Sequence, residues 1–325
     1  MAMSTIYKLL TAQWVRDTYL PGIDLTDDLG TSFADQTILI GLRQAVAQLE
    51  QSLSISIDPI EIKGERFDLH AQDRNMYWPI YLHHRPLIKV DKFVLKYGRV
   101  MDQQVPNSWL SEIDYLHGRL NIMPSYEQMQ TMASTLGTPY VFWQSGFAPG
   151  FFNLDYTAGF RVFEGTVTFD IGETSKVVTF ATDETFSTTN YSSAFDLVNP
   201  GGSDASIVPT AYQRKTDSMS ILLSRAPVAP LTVKWYVSDL PDDLRHLIGL
   251  RAAVHPLTIA GDLVLGAGVS SRSVGLDGLS QSISTTKAGA MGGAFAARIK
   301  MYKEEDERIF NAVKGRYRRM NVTAF

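Results

Sequence analysis

The sequence predicts an α+β fold: a discontinuous helical body with a small antiparallel sheet, plus an inserted all-β sandwich. Helical periodicity occurs near both ends of the chain, and strand-like alternation dominates the middle. Residues 161–238 combine short alternating segments with loops rich in Ser, Thr, Asn, Pro and Gly. Because 325 residues exceed the usual size of one domain, we expect a body formed by 1–160 and 239–325 and a second domain at 161–238.

The first 160 residues predict helices followed by an antiparallel sheet. A helical stripe runs over residues 5–20 and ends at Pro21. A clearer helical face follows Ser32, which resembles an N-cap, and continues to Leu53. After Pro59 the apolar period changes to two, which predicts short strands over 60–69, 86–97, 109–123, 139–144 and 151–160.

A helix is predicted after residue 238. Asp239 is a candidate N-cap, and apolar residues three and four apart continue the helix from Leu240. Pro256 lacks a backbone donor and should stop or kink it. The glycine-interrupted apolar run Leu257–Val269 is then expected to be a buried linker rather than helix.

A second C-terminal helix is predicted after a polar loop. Residues 270–287 contain Ser and Gly at a density typical of loops. From Met291 to Tyr317, apolar residues recur every three or four positions, except where Asp306 interrupts the stripe. We therefore expect a long amphipathic helix.

The segment between the two halves of the body predicts an all-β sandwich. Residues 165–172 alternate cleanly and should pair with 175–180 as a hairpin across a tight turn. Further strands are expected over 195–198, 217–223 and 231–237, separated by polar turns.

Composition excludes several classes of protein. The absence of cysteine excludes disulfides and cysteine zinc sites and fits synthesis in a reducing cytoplasm. The N-terminus lacks the pattern of a secretion signal, and no apolar run reaches membrane-spanning length, so we expect no membrane contact. The net charge is −4, yet residues 311–325 carry +4, which leaves −8 for the rest. This basic end could bind nucleic acid or an acidic protein, or complement the helix dipole.

No motif predicts catalysis, a metal or a cofactor. Neither Gly-x-Ser-x-Gly, His-Glu-x-x-His nor a phosphate-binding glycine loop occurs, and the acidic stretch at 24–28 lacks the spacing of a calcium loop. His83 and His84 are adjacent on a predicted strand and should point to opposite faces. A hydrolase using two carboxylates stays open as an alternative, because only three-dimensional spacing could identify such a pair. We expect no enzyme.

Three stretches together resemble the head-to-tail connector, or adaptor, proteins of tailed bacteriophages. They are Tyr19–Asp28 with the helix that follows, the strand Leu154–Phe160, and Leu240–Leu244 with 260–268 and 278–284. In such proteins the Tyr-Thr-Ala-Gly-Phe strand is followed almost directly by the Leu-Pro-x-Asp-Leu helix. Here 79 residues, 161–239, lie between the strand and the helix, which supports the inserted-domain interpretation.

The resemblance implies a structural virion protein in the phage neck, made in the host cytoplasm. It implies a homo-oligomeric ring, expected to hold 12 copies, that joins the portal protein to the tail or a tail-terminator or neck protein. Genomic DNA would pass through the ring with transient contact. Candidate portal or subunit contacts are Ile299, Tyr302, Phe310, Lys314, Arg316, Tyr317, Arg318 and Arg319. Candidate inter-subunit loop contacts are Arg272, Asp277 and Gly278.

The inserted segment leaves a second function open. It resembles small β-sandwich modules on phage tail proteins, some of them lectin-like, so the alternative is a module that binds a glycan or a capsid surface. Tyr191, Tyr212 and Trp235 are the aromatic candidates for stacking on sugar rings. Aromatic residues in a small sandwich are more often part of the core.

Overall fold

A computed structural model describes residues 5–23, 25, 35–70, 78–97, 101–123, 147–180, 192–198, 200–215, 217–265, 271–276, 279–284 and 295–317. The helices are α1 (Ala12–Tyr19), α2 (Asp35–Leu53), α3 (Asp242–Leu265) and α4 (Ala296–Tyr317). The strands are β1 (Ile60–His70), β2 (Pro79–Tyr81), β3 (Leu87–Tyr97), β4 (Met101–Val105), β5 (Leu110–Asp114), β6 (Arg119–Ile122), β7 (Phe147–Ala158), β8 (Val162–Phe169), β9 (Ser175–Thr179), β10 (Ser192–Val198), β11 (Pro209–Arg214), β12 (Ser218–Leu223), β13 (Leu231–Ser238), β14 (Ser271–Leu276) and β15 (Leu279–Ser284). The mixture of helices and antiparallel sheets confirms the α+β prediction.

Helices from both ends of the chain pack into one core. α2 and α4 both pack on α3, and α1 contacts α2 and α3. The apolar face predicted for α2, including Leu42 and Leu49, is buried in this core, which also contains Leu247 and Ile248 of α3. Segments far apart in sequence therefore stabilise each other in the helical body.

The expected stop at Pro256 is wrong, because α3 continues through this residue and the expected apolar linker after it is mostly helical. Proline cannot donate a hydrogen bond to the carbonyl four residues earlier, and it costs about 3 kcal/mol in a helix interior. The helix is buried on both sides of the proline, at Ala252 and Leu257, so packing offsets this cost. The Ala252 carbonyl lies against Gly41 of α2, where an added Cβ would be 2.7 Å from the oxygen.

The antiparallel sheet of the body has the strand order β1-β7-β3-β4, and a smaller sheet has the order β2-β6-β5. Both contribute to one hydrophobic cluster, which contains Phe93 and Phe151. β7 ends before Gly159, which has φ +124° and lies so close to Asp58 that a Cβ would be 2.7 Å from its carbonyl oxygen. The chain can leave the sheet here only through glycine.

The strands described between 162 and 238 form two three-stranded sheets, β10-β13-β8 and β11-β12-β9, around a shared hydrophobic cluster. The hairpin expected between 165–172 and 175–180 is wrong, because β8 pairs with β13 while β9 pairs with β12 in the other sheet. Phe169 and Val178 both enter the cluster between the sheets. The turn therefore carries the chain from one sheet to the other, an outcome that alternation alone cannot distinguish from a hairpin.

The two ends of this segment leave the helical body side by side. Val162 pairs with Ser238 at the base of β8 and β13. The backbone N–H of Arg161 donates to the Asp239 carboxylate over 2.6 Å. Asp239 therefore holds the junction and is not the expected N-cap, since α3 begins at Asp242.

Between α3 and α4, the expected loop over 270–287 contains a hairpin formed by β14 and β15. The strand expected over 139–144, the N-cap at Ser32 and the helix start at Met291 lie outside the described residues. None of the helices in the described ranges is long and apolar enough to cross a membrane.

Candidate assembly surface

Three of the predicted contact residues on α4 belong to the core of the chain itself. Ile299, Tyr302 and Tyr317 are buried against the rest of the helical body. The Tyr302 hydroxyl makes a short hydrogen bond to the carbonyl of Tyr19 in α1. The expectation of partner contacts at these three positions is corrected accordingly, because their apolar spacing serves intrachain packing.

Phe310 and Lys314 lie at the surface of α4. The Phe310 ring is half-buried, with the Arg251 guanidinium 5.1 Å and the Lys314 Nζ 5.9 Å from its centroid. Cations over an aromatic face are attracted by its quadrupole. Lys314 is exposed and can reach a partner, whereas Arg251 is held within the body.

The C-terminal end of α4 is fastened to two other elements. Arg316 Nη1 lies 2.8 Å from Asp243 Oδ2 at the start of α3. The Arg316 carbonyl lies 3.0 Å from His117 Nε2, and His117 Nδ1 lies 2.8 Å from Asp114 Oδ2. Both ring nitrogens of His117 therefore lie next to oxygen atoms, one of Asp114 and one of Arg316. Two further predicted contact residues lie outside the described residues: Arg318 and Arg319.

A cleft of about 450 Å³ separates the outer edges of α2, α3 and α4. Arg251 crosses it and binds Asp306 through two contacts, Nε to Oδ1 at 2.8 Å and Nη2 to Oδ2 at 3.1 Å. Sequence reasoning missed this pair, although Asp306 interrupts the apolar stripe of α4. The other lining residues are Gly41, Gln44, Ala45, Gln48, Leu250, Val254, His255, Thr258, Tyr302 and Lys303.

Tyr19 links three helices of the body. Its hydroxyl lies 2.8 Å from His246 Nδ1 of α3, and its ring meets Tyr302 of α4 edge to face. Burial raises the pKa of Tyr19 to about 12, an effect that the nearby Arg245 opposes. Burial likewise raises the pKa of Tyr317 well above its ordinary value. These buried phenols stabilise the fold in their neutral form.

One of the three predicted inter-subunit residues lies in the β14–β15 hairpin. Arg272 lies in β14, where it pairs with Ile283 of β15. Asp277 and Gly278 lie outside the described residues, between the two strands. The two strands form a separate two-stranded sheet.

The aromatic candidates for glycan contact separate into different environments. Trp235 is only 6% exposed and lies in the core of the sandwich, so the expectation that it stacks on a sugar is wrong. Tyr212 is 52% exposed on β11. Tyr191 lies outside the described residues.

The arrangement with most resemblance to a catalytic group lies on the body sheet. Glu65 makes short contacts with His83 Nδ1 and with the Tyr156 hydroxyl, and the Phe67 ring stacks on His83. Across the described ranges, no hydroxyl nucleophile is hydrogen-bonded to His83, and no group of three or more metal-ligating side chains occurs. The cluster joins β1 to the segment after β2 and has the character of a structural contact.

Comparison with known proteins finds no matching family model and no matching curated protein. One similar solved chain belongs to the neck of an empty gene transfer agent particle computed with C6 symmetry: TM-score 0.25, 18% identity, covering 49% of this chain and 71% of that chain. A second belongs to the virion of a native gene transfer agent particle: TM-score 0.27, 18% identity, covering 49% and 72%. Similarity at this level does not establish a shared fold or function.

Proposed function

We propose that the chain is a structural protein of the neck of a phage-like particle. One observation carries the proposal: the three stretches that resemble head-to-tail connectors converge on a single core. Tyr19, Phe160 and Leu240, one from each stretch, belong to the same buried cluster of the helical body. Segments scattered over more than 200 positions thus act as one structural unit, as expected of a connector body interrupted by an insertion.

In this proposal residues 161–238 are a domain inserted into a body formed by 1–160 and 239–325. The paired ends at Val162 and Ser238 support it, because a loop can accept a domain whose ends lie close together. The separate hydrophobic cluster between the two sheets supports it as well.

Copies of the chain form a ring, expected to be dodecameric, between the portal and a tail-side protein. The β14–β15 hairpin is the proposed contact with a neighbouring copy, since an isolated two-stranded hairpin is only marginally stable. Lys314 and the basic residues after it are the proposed contact with the portal or a neighbour. The net negative charge of the rest of the chain would limit adhesion to DNA passing through the ring.

The proposed location is the virion neck, after synthesis in the host cytoplasm. The function includes no catalytic step and no cofactor. Glu65 and His83 contribute to the body sheet instead, with the exposed imidazole stacked on Phe67.

Electron microscopy and mass photometry of the purified protein, alone and mixed with the portal of its particle, test this function. We expect rings of uniform copy number, or a portal-bound ring where the protein alone is smaller. A protein that stays monomeric and does not bind the portal would contradict the proposal.

A charge-reversal series identifies the contact. The triple variant Lys314→Glu, Arg318→Glu, Arg319→Glu should lose portal binding or ring closure by at least about tenfold in affinity, because it reverses three of the four positive charges in residues 311–325. Lys300→Glu, an exposed lysine near the other end of the same helix, is the matched control and should bind normally. Equal loss in both variants would show a general charge effect rather than a contact at the C-terminal end.

A further inference from the structure

The sandwich has two outer faces with different surroundings. On the β10-β13-β8 sheet, Lys234 lies 3.5 Å from Glu164 and 5.2 Å from the centroid of the Tyr236 ring. Tyr236 is buried in the same cluster as the helices, together with Val162. This face is charged and partly covered by the body.

The middle of the outer face of the opposite sheet, β11-β12-β9, carries no charged side chain, whereas the charged residues Arg214, Lys215 and Asp217 lie at the end where β11 is followed by β12. Met219, Ile221 and Leu223 of β12 point into the sandwich core, so the residues between them point outward. Pairing with the neighbouring strands places the remaining outward residues beside these. The uncharged face, as we name it, consists of Ser175, Val177, Thr179, Thr210, Tyr212, Ser218, Ser220 and Leu222.

The centre of the uncharged face is one row across three strands. Ser220 of β12 pairs with Tyr212 of β11 on one side and with Val177 of β9 on the other. Tyr212 is 52% and Val177 67% exposed, while Ser220 between them is only 8% exposed. The row is therefore a shallow trough with an aromatic wall, an aliphatic wall and a hydroxyl floor.

Nearby cations are directed elsewhere. Lys176 of β9 alternates with the outward residues, and its Nζ donates to the Thr168 carbonyl over 2.6 Å and lies 2.8 Å from Glu173. The ammonium group of Lys176 therefore lies at the edge of the sheet that faces β8. Two further cations, Arg214 and Lys215, lie at the end of β11, where Arg214 Nη1 is 4.0 Å from Asp242 Oδ2 and Lys215 pairs with Ser218. A ligand centred on the uncharged face would find no cation among the eight residues of that face, which favours a neutral ligand.

The size of the face also limits its ligand. Three strands about 4.8 Å apart, each with about five residues of roughly 3.3 Å, give an area of about 240 Å². A stable protein interface buries about 800 Å² on each partner, so this face alone is too small to hold one. Its area and its mixture of hydroxyls, one tyrosine ring and aliphatic groups match a few sugar rings, which present both apolar C–H faces and hydroxyls.

We propose that the uncharged face binds a neutral oligosaccharide. Tyr212 stacks on one sugar ring, Val177 contacts a ring from the other side of the trough, and the serine and threonine hydroxyls hydrogen-bond the sugar hydroxyls. Each copy binds weakly, and copies held in one assembly would strengthen attachment through avidity. Binding by a single copy does not depend on the neck function proposed above.

The test screens the full-length protein against an array of neutral hexose oligosaccharides and matched oligosaccharides that contain uronic or sialic acid. Neutral sugars that bind are then titrated by calorimetry. We expect Tyr212→Ala to weaken binding about tenfold or more, since a stacked aromatic is worth about one factor of ten in affinity. Tyr81→Ala, at a partly exposed tyrosine on β2, is the matched control and should bind as the wild type does.

Four outcomes would overturn the proposal. In the first, no neutral sugar binds at about 10 mM, and in the second the protein prefers the acidic sugars. In the third, Tyr212→Ala binds a neutral sugar as tightly as the wild type does. In the fourth, the wild-type protein self-associates in analytical ultracentrifugation and Val177→Lys abolishes this self-association. The last outcome would assign the face to a contact between copies. Circular dichroism of each variant establishes that it folds, which the exposure of these side chains leads us to expect.

Discussion

The core of the helical body joins segments far apart in the sequence, whereas the core of the sandwich comes from one contiguous segment. In the body, Tyr19 bonds His246, 227 positions away, and four helices from both ends of the chain share one cluster. In the sandwich, every described residue of the core lies in the segment from Phe163 to Val237. The body therefore requires both ends of the chain before its core can form, whereas the sandwich can form from one contiguous segment. We therefore expect the body and the sandwich to unfold in two separate transitions.

The connection between the two regions is short and hydrogen-bonded. Ser192 Oγ lies 2.9 Å from both the Leu240 carbonyl oxygen and Asp242 Oδ1, and Arg245 Nη1 donates to the Ser193 carbonyl over 3.3 Å. Burial lowers the pKa of Arg245, although the nearby Asp242 carboxylate opposes this effect. The sandwich is thus fixed on the start of α3 rather than tethered, and its orientation follows that of the body.

The largest expected effect comes from Gly249 in α3, which the Tyr19 ring covers. A Cβ at this position would lie 2.1 Å from Tyr19 Cε2. Gly249→Ala should therefore lower the free energy of unfolding of the body by about 3 kcal/mol or more, because neither helix can move without disturbing the core. Urea denaturation followed by circular dichroism at 222 nm measures the change in the helical transition.

Gly315→Ala is the matched control within α4. An added Cβ meets no atom within 4 Å there, so alanine should be neutral or stabilise the helix by about 0.5 kcal/mol. If both substitutions destabilise the body equally, loss of glycine itself rather than the contact with Tyr19 would be responsible.

The next largest effect should separate the sandwich from the body. Gly165 of β8 lies beneath the Trp235 ring, and a Cβ would be 2.4 Å from Trp235 Cζ2. Gly165→Ala should destabilise the sandwich by about 2 kcal/mol and leave the helical transition nearly unchanged. Differential scanning calorimetry should resolve the two transitions, with only that of the sandwich moved.

Gly201→Ala provides the control for this experiment, since its φ of −77° suits alanine and an added Cβ meets no atom within 4 Å. It should change neither transition by more than about 0.5 kcal/mol. A single transition that both Gly165→Ala and Gly249→Ala lower by the same amount would refute the independence of the two regions.

The sequence identified the helices and strands better than their connections. Periodicity locates α2 because Ile38 to Leu53 bury one face, and it locates α4 for the same reason. The local pattern was wrong at Pro256, because α3 is buried on both sides of the proline and continues through it. It was also wrong at the β8–β9 turn, because the two strands belong to different sheets instead of forming a hairpin. Both failures depend on partners that no local pattern contains.

The candidate surfaces were predicted less well than the fold, and for a physical reason. Apolar spacing on α4 marks residues that must be buried, yet it does not say whether a partner or the chain itself buries them; at Tyr302 and Tyr317 the chain does. Trp235 was ambiguous in the same way. Tyr212 was a candidate from the sequence, but its neighbours on the uncharged face could not be predicted, because only strand pairing brings Ser220 and Val177 beside it.

The smallest expected effect concerns the ionisation of Tyr19, which is buried in the body, whereas Tyr212 of the sandwich is exposed. The pKa of Tyr19 is raised to about 12 in the folded chain, from about 10 for a solvated tyrosine. The unfolded chain therefore loses this proton first, and the stabilisation is complete below about pH 10 and lost as the pH rises through 12. Tyr19→Phe should cost about 1 kcal/mol near neutral pH through the lost hydrogen bond to His246. Above pH 10, the stability of this variant should fall less steeply than that of the wild type in urea titrations. Tyr212→Phe should leave the slope of the helical transition unchanged, and an equal change in both variants would show that Tyr19 does not control it.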